Sequence, residues 1–165
     1  MTTSLERPRI KRWKDWVARI LIRRFFAEEL VNVITETITT RYRVVGNPSR
    51  LKISPRAYLN NSLLGTVAGE IHIGEYTFFG YDVRILTGTH EATKLGYERM
   101  HDYPREGRDI KIGCGVFVAS NATVLGPCQI GDNAIIAAGA VVLGDVPAGV
   151  IVAGVPAKII RQIEV

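Results

Sequence analysis

The sequence predicts a mainly β protein: a coil of short parallel strands, preceded by a helical segment and interrupted by one long loop. Three observations predict it. Aliphatic residues recur every six positions, residues 112–157 hold only two charged side chains (Asp132 and Asp145), and residues 91–111 hold ten. A six-residue period is neither the 3.6 of a helix nor the 2 of a single long strand. It describes a short strand, a turn and a new direction, with one aliphatic side chain inward on each side. Three such sides close a triangular coil of about eighteen residues, and stacked coils pair as parallel strands about 4.8 Å apart.

The 165 residues are enough for one domain, and 47% hydrophobic content excludes wholesale disorder. Lys and Arg outnumber Asp and Glu by 21 to 16, which raises nucleic acid or an anionic membrane as partners. The excess is local, however. Residues 1–30 carry eight basic and four acidic side chains, while the remaining 135 carry a net of only +1. No nucleic-acid module surrounds the basic residues, so nucleic acid is not expected as a partner. Two cysteines, Cys114 and Cys128, exclude a disulfide-stapled scaffold and fit a reducing, cytoplasmic setting. No apolar run is long enough to span a bilayer, and no secretory signal pattern follows Arg7–Arg12.

Residues 1–44 form the first segment. From Ile10 to about Ile38, Trp13, Trp16, Val17, Ile20, Leu21 and Phe25 recur at helical spacing, with Lys14, Arg19, Arg23 and Arg24 mostly elsewhere. An amphipathic helix capping the main domain is the first reading; a helix lying on an anionic membrane surface is the second. Thr35, Thr37, Thr39 and Thr40 then favour extended structure. Residues 45–165 form the coil. Val45, Leu51, Ala57 and Leu63 open the six-residue interval, and a shift brings Val67 into frame with Ile73, Phe79 and Ile85. After a polar loop at 91–111 the frame resumes at Ile112, Val118, Val124, Ile130, Ile136 and Val142, with a short tail at 157–165. Small residues follow many of these positions, as in Ile73-Gly74 and Val118-Ala119, and permit the bend.

These hexads resemble the left-handed parallel β-helix of the hexapeptide-repeat acyltransferases, and the left hand is implied by that resemblance. The ending Val152-Ala153-Gly154-Val155-Pro156-Ala157-Lys158-Ile159-Ile160-Arg161 is particularly similar to the sugar O-acetyltransferases of the galactoside, maltose and Nod-factor type. The resemblance implies acetyl-CoA as acyl donor, no metal, a hydroxyl acceptor on a sugar or polysaccharide, and a homotrimer with sites between neighbouring subunits. Coil faces poor in charge are compatible with that, since exposed apolar patches mark interfaces.

His90 stands at the root of the polar loop, in Leu86-Thr87-Gly88-Thr89-His90, where the resemblance implies the general base. Imidazole suits the task, because it can take a hydroxyl proton near neutral pH and return it to a leaving group. Asn60 matches a substrate-positioning Asn, and a turn-forming Asn is the structural alternative. Phe117, Ser120 and Ala138 match positions along the pantetheine arm of CoA, and Lys158 and Arg161 match a basic pair that meets its phosphates. Two positions depart from the galactoside pattern. An acidic sugar-binding residue is replaced by Ala68, with Glu70 the nearest carboxylate, and a Thr-Lys pair is replaced by Leu143-Gly144.

Two other functions share the fold: N-acetylation of an amino sugar or antibiotic, and metal-dependent chemistry of the carbonic anhydrase kind. For the second, His72 lies eighteen residues before His90 and would stack beneath it, with His101 left as a third ligand. Cys114 and Cys128 fall inside the hexads with no adjacent base and are expected to be packed side chains rather than acyl carriers.

Overall fold

The computed structural model describes residues 41–164 together with Ile20, Arg24 and Glu29. Those three positions are helical and exposed; the rest of the amphipathic pattern at 10–38 lies outside the described residues. Residues 1–39 and 40–165 form separate compact units.

The second unit is the coil. Its first side carries β1 (Arg43–Gly46), β3 (Leu63–Thr66), β6 (Arg84–Leu86), β9 (Thr123–Leu125) and β12 (Val141–Val142), paired in that order. The second side stacks β2 (Leu51–Ile53), β4 (Ile71–Ile73), β7 (Ile110–Ile112) and β10 (Cys128–Ile130). The third stacks β5 (Phe78–Phe79), β8 (Phe117–Val118), β11 (Ile135–Ile136) and β13 (Val150–Ala153), closed by β14 (Lys158–Gln162). All pairings are parallel except that of β13 with β14, which turns back antiparallel. The stretch read as a tail from the sequence is therefore a strand that covers the edge of its sheet.

Inward side chains form three columns in register. Leu64, Ile85, Val124 and Val142 fill the first side, Ile53, Ile73, Ile112 and Ile130 the second, and Phe79, Val118, Ile136 and Val152 the third. All but the half-buried Ile53 are buried. The frame from Ile73 onward thus holds as predicted. Upstream it is displaced: Val45 is 53% exposed and Leu63 half-exposed, while Leu59 and Leu64 are buried. Ile73 follows Leu64 by nine positions, so one corner, at residues 67–70, is longer than the hexad allows. Gly69 is packed there so closely on Arg108 that a Cβ would lie 2.5 Å from its carbonyl carbon.

Outward columns separate the sides by chemistry. The second side shows Lys52, His72, Lys111 and Gln129. The third shows Tyr58, Phe78, Phe117, Ile135 and Ile151, with the Phe78 and Phe117 rings stacked at 4.6 Å. The first shows Leu86 and Leu125 beside the polar Arg84 and Thr123.

Candidate active site

The polar loop leaves the first side after β6 and returns at β7, whose Ile110 and Lys111 belong to the coil rather than to the loop as predicted. Ile110 is fully buried and pairs with Ile71, which draws the strand's start forward. Between these stems lies a short helix, Gly96–His101, with no buried residue. Arg108 ties the stems: its Nε donates to the Thr87 carbonyl at 2.9 Å, and its guanidinium also donates to Gly126. Arg50 adds a second fastening, donating to the carbonyls of Val67 at 3.2 Å and Arg105 at 3.0 Å. Such side-chain bonds to main chain fix a segment that has no ladder of its own.

His90 sits at this root with its ring exposed. Its Nδ1 lies 2.6 Å from the main-chain carbonyl oxygen of Arg99. A carbonyl only accepts, so Nδ1 carries the proton and donates, which leaves the Nε2 lone pair available as a base. Tyr103 meets the imidazole edge-on, with centroids 5.5 Å apart, and the Arg105 guanidinium lies 4.8 Å over the Tyr103 ring. Neither Arg99 nor Tyr103 was marked by the sequence; only the charge density of 91–111 hinted that this loop is internally tied.

His72 does not stack on His90. The loop has carried His90 out of the coil, and the place in register with His72 goes to Lys111. His72 instead meets Glu70 at 2.7 Å, so the carboxylate nearest to Ala68 is bound on the second side of the coil. Ala68 itself is buried and its N–H donates to the Thr87 hydroxyl. Among the described residues no cluster of three His, Cys, Asp or Glu side chains is placed to hold a metal ion.

The other predicted site residues gather elsewhere. Asn60 occupies the corner between the third and first sides with a left-handed φ of 46°, which Asn tolerates better than most residues. Its Nδ2 donates to the Phe79 carbonyl at 2.8 Å, so the turn-forming role is met whatever else it does. Ser120 and Ala138 follow along that same corner, two and one coils before the end. The Ser120 hydroxyl accepts from the Tyr81 N–H at 3.0 Å, and Gly80 beneath it has no room for a Cβ, which would lie 2.5 Å from the Ser120 nitrogen. Phe117 is half-buried on the third side, in register through Ile135 and Ile151 with Arg161. Lys158 and Arg161 are both exposed on β14. An open groove of about 650 Å³ joins Lys158 to Leu143 and Gly144. Asn60, Ser120 and Ala138 therefore trace one track down the coil axis, with Phe117 and Arg161 on the outward column of the adjoining third side and Lys158 on its last strand. His90 lies across the width of the first side from that track, at the opposite ends of strands β3 and β6.

Cys114 is exposed at a corner, contrary to the packed position expected for it, because its N–H rather than its thiol faces the partner coil and donates to Asp132 at 2.7 Å. Cys128 is buried, and burial, with a smaller contribution from Asp145, pushes its thiol up to about 11. It stays protonated and poorly nucleophilic at neutral pH.

A coil of in-register hexads defines the class: this is a hexapeptide-repeat protein. Residues 109–144 match the family described as bacterial transferase hexapeptide (six repeats). The chain is 33% identical over 119 residues to galactoside O-acetyltransferase of Escherichia coli (strain K12), covering 70% of this chain and 55% of that one. It is 37% identical over 114 residues to serine acetyltransferase 2 of Arabidopsis thaliana, covering 69% and 33%. The solved structure of a galactoside acetyltransferase in complex with coenzyme A shares the fold, with a TM-score of 0.62, 24% identity, and coverage of 76% of this chain and 63% of that one. The chain spans between a third and somewhat over half the length of the curated relatives it matches first.

Proposed function

We propose that the chain is an acetyl-CoA-dependent O-acetyltransferase that acts on a hydroxyl of a sugar or glycan, with His90 as general base. The observation that carries this reading is the His90 ring itself: Nδ1 is bound to a carbonyl, Nε2 is left as acceptor, and the ring is exposed at the root of a tied loop. Nε2 takes the acceptor's hydroxyl proton as that oxygen attacks the thioester carbonyl carbon. The carbon–sulfur bond breaks, and the imidazolium returns the proton to the departing CoA thiolate. An alcohol, with its high pKa, needs this assistance; a thiolate is already a good leaving group.

The track supplies the donor's place in this reading. Phe117, Ser120 and Ala138 border a thin arm, and Lys158 with Arg161 meets phosphates. Because His90 and the track stand on opposite edges of one side of the coil, the site is completed by a second copy of the chain. The apolar outward column on the third side supports a homotrimer built in this way. In a cytoplasmic enzyme of this kind, the basic segment 1–30 is left for capping or for an anionic surface.

The match to a serine acetyltransferase favours a second acceptor, the hydroxyl of an amino acid. Replacement of the sugar-binding carboxylate by the buried Ala68 points the same way, because the sugar loses a partner there. An acceptor screen with acetyl-CoA, following CoA release over matched sugars, glycans, serine and amino sugars, tests the proposal. Turnover with sugar hydroxyls supports it. Turnover confined to serine or to amines replaces the acceptor, and release with none of them overturns the activity.

A further inference from the structure

The side chain of Arg99 reaches back along its own loop. Its Nε donates to the Lys94 carbonyl at 2.5 Å and its Nη2 to the Ala92 carbonyl at 3.0 Å. Ala92 and Lys94 lie just beyond His90, whereas Arg99 lies in the last part of the short helix Gly96–His101. The guanidinium therefore ties together the segment that begins and ends on the imidazole: out from His90 through Ala92 and Lys94, round the helix, and back through the Arg99 carbonyl to His90 Nδ1. A planar fork with five donors can hold two carbonyls at once at fixed separation, which a single ammonium cannot. The helix is short and has no buried residue to hold it by packing, so its position depends on such polar ties.

We propose that Arg99 is a positioning residue for His90: by clamping the Ala92 and Lys94 carbonyls it places its own carbonyl oxygen against Nδ1, and so fixes the tautomer that leaves Nε2 free. The inference deepens the function proposed above and rests on it only for its kinetic consequence. The tautomer is a property of the free protein. A separate tie in the same loop, the exposed pair between Lys94 and Asp102, serves as the comparison.

The experiment is ¹⁵N NMR of the imidazole nitrogens in the full chain without substrate, on wild type, Arg99→Ala, Arg99→Lys and Asp102→Asn, alongside steady-state kinetics. Wild type should show Nδ1 protonated and Nε2 bare in its neutral form. Arg99→Ala keeps the main-chain carbonyl but frees it to move, so the signals should shift toward the Nε2–H form, with kcat about tenfold lower and the donor KM unchanged, as expected for one displaced hydrogen bond to the catalytic ring. Arg99→Lys, able to hold one carbonyl, should fall between the two, and it carries the test should the alanine variant fold poorly. Asp102→Asn should leave the tautomer in place. An unchanged tautomer in both Arg99 variants overturns the proposal, as does an equal loss in Asp102→Asn, which would make loop stiffness in general the cause. If His90→Ala leaves activity intact, the general-base reading fails while the NMR result still decides the clamp.

Discussion

The coil and the loop it carries are held by opposite means. In the coil, aliphatic side chains at one interval meet others at the same interval one turn on, as Ile85 meets Val124 and Ile136 meets Val152. No pair is special, because the repeat supplies the partner. In the loop, the ties are individual, as where one side chain meets one carbonyl: Arg108 on Thr87, Arg50 on Arg105, Arg99 on Ala92. Redundant packing makes a rigid frame, and individual polar ties set one ring on it. The proposed chemistry depends on the second kind.

The largest effect should come from His90, the exposed imidazole at the root of the loop. His90→Ala should lower turnover by about 10²–10⁴-fold, the usual contribution of a general base, while acetyl-CoA still binds in calorimetry. Unchanged turnover would remove His90 from the role. The coil answers to a different measurement. Ile85 is fully buried, so Ile85→Ala should cost about 2–5 kcal/mol in denaturant unfolding. Its exposed neighbour Arg84 should cost about 0.5 kcal/mol or less as alanine. Equal costs at the two positions would mean the inward column is not what holds the coil.

Arg108→Ala tests the joint between the regions. It removes partly buried donors from the carbonyls of Thr87 and Gly126, for a loss of about 1–3 kcal/mol. Limited proteolysis should then cut within 91–107 while the hexads on either side stay intact. Cleavage spread evenly over the chain would show that the loop is not a separately held unit.

The same contrast explains what could be read from the sequence. From Ile73 onward the inward residues were legible, since a repeated interval leaves a signal that any one substitution cannot erase. In the first coil Val45 and Leu63 were misread by one position, while Leu51 and Ala57 do pack against the core. Val45, Leu63 and Val67 fit a hexad on paper, but the nine-residue step from Leu64 to Ile73 belongs to one corner and shows no period. The place of His90, at the root of the loop where the repeat breaks, was legible. The Arg99 carbonyl that orients it was not, because a main-chain oxygen carries no residue identity and its position depends on how the loop folds. His72 was misplaced for a related reason: eighteen residues mean one coil only where the chain stays in the coil, and at His90 it leaves.

The two cysteines give the smallest test, and it separates frame from surface by pH. Cys128, buried in the coil, keeps its proton up to about 11, against 9.0 for an ordinary thiol. Between those values the folded chain holds a proton that the unfolded chain releases, so stability is complete below about pH 9 and falls as pH rises toward 11. The slope approaches about 1.4 kcal/mol per pH unit within that window, so raising the pH from 9 to 10 should lower the unfolding free energy by about 1 kcal/mol, and Cys128→Ala should remove that component. Cys114, exposed at its corner, should react with a thiol reagent in the native protein, and Cys128 only after unfolding. Native labelling of Cys128 at neutral pH would mean that the inward column opens where the parallel ladder, the rows of hydrogen bonds above and below it, says it should not.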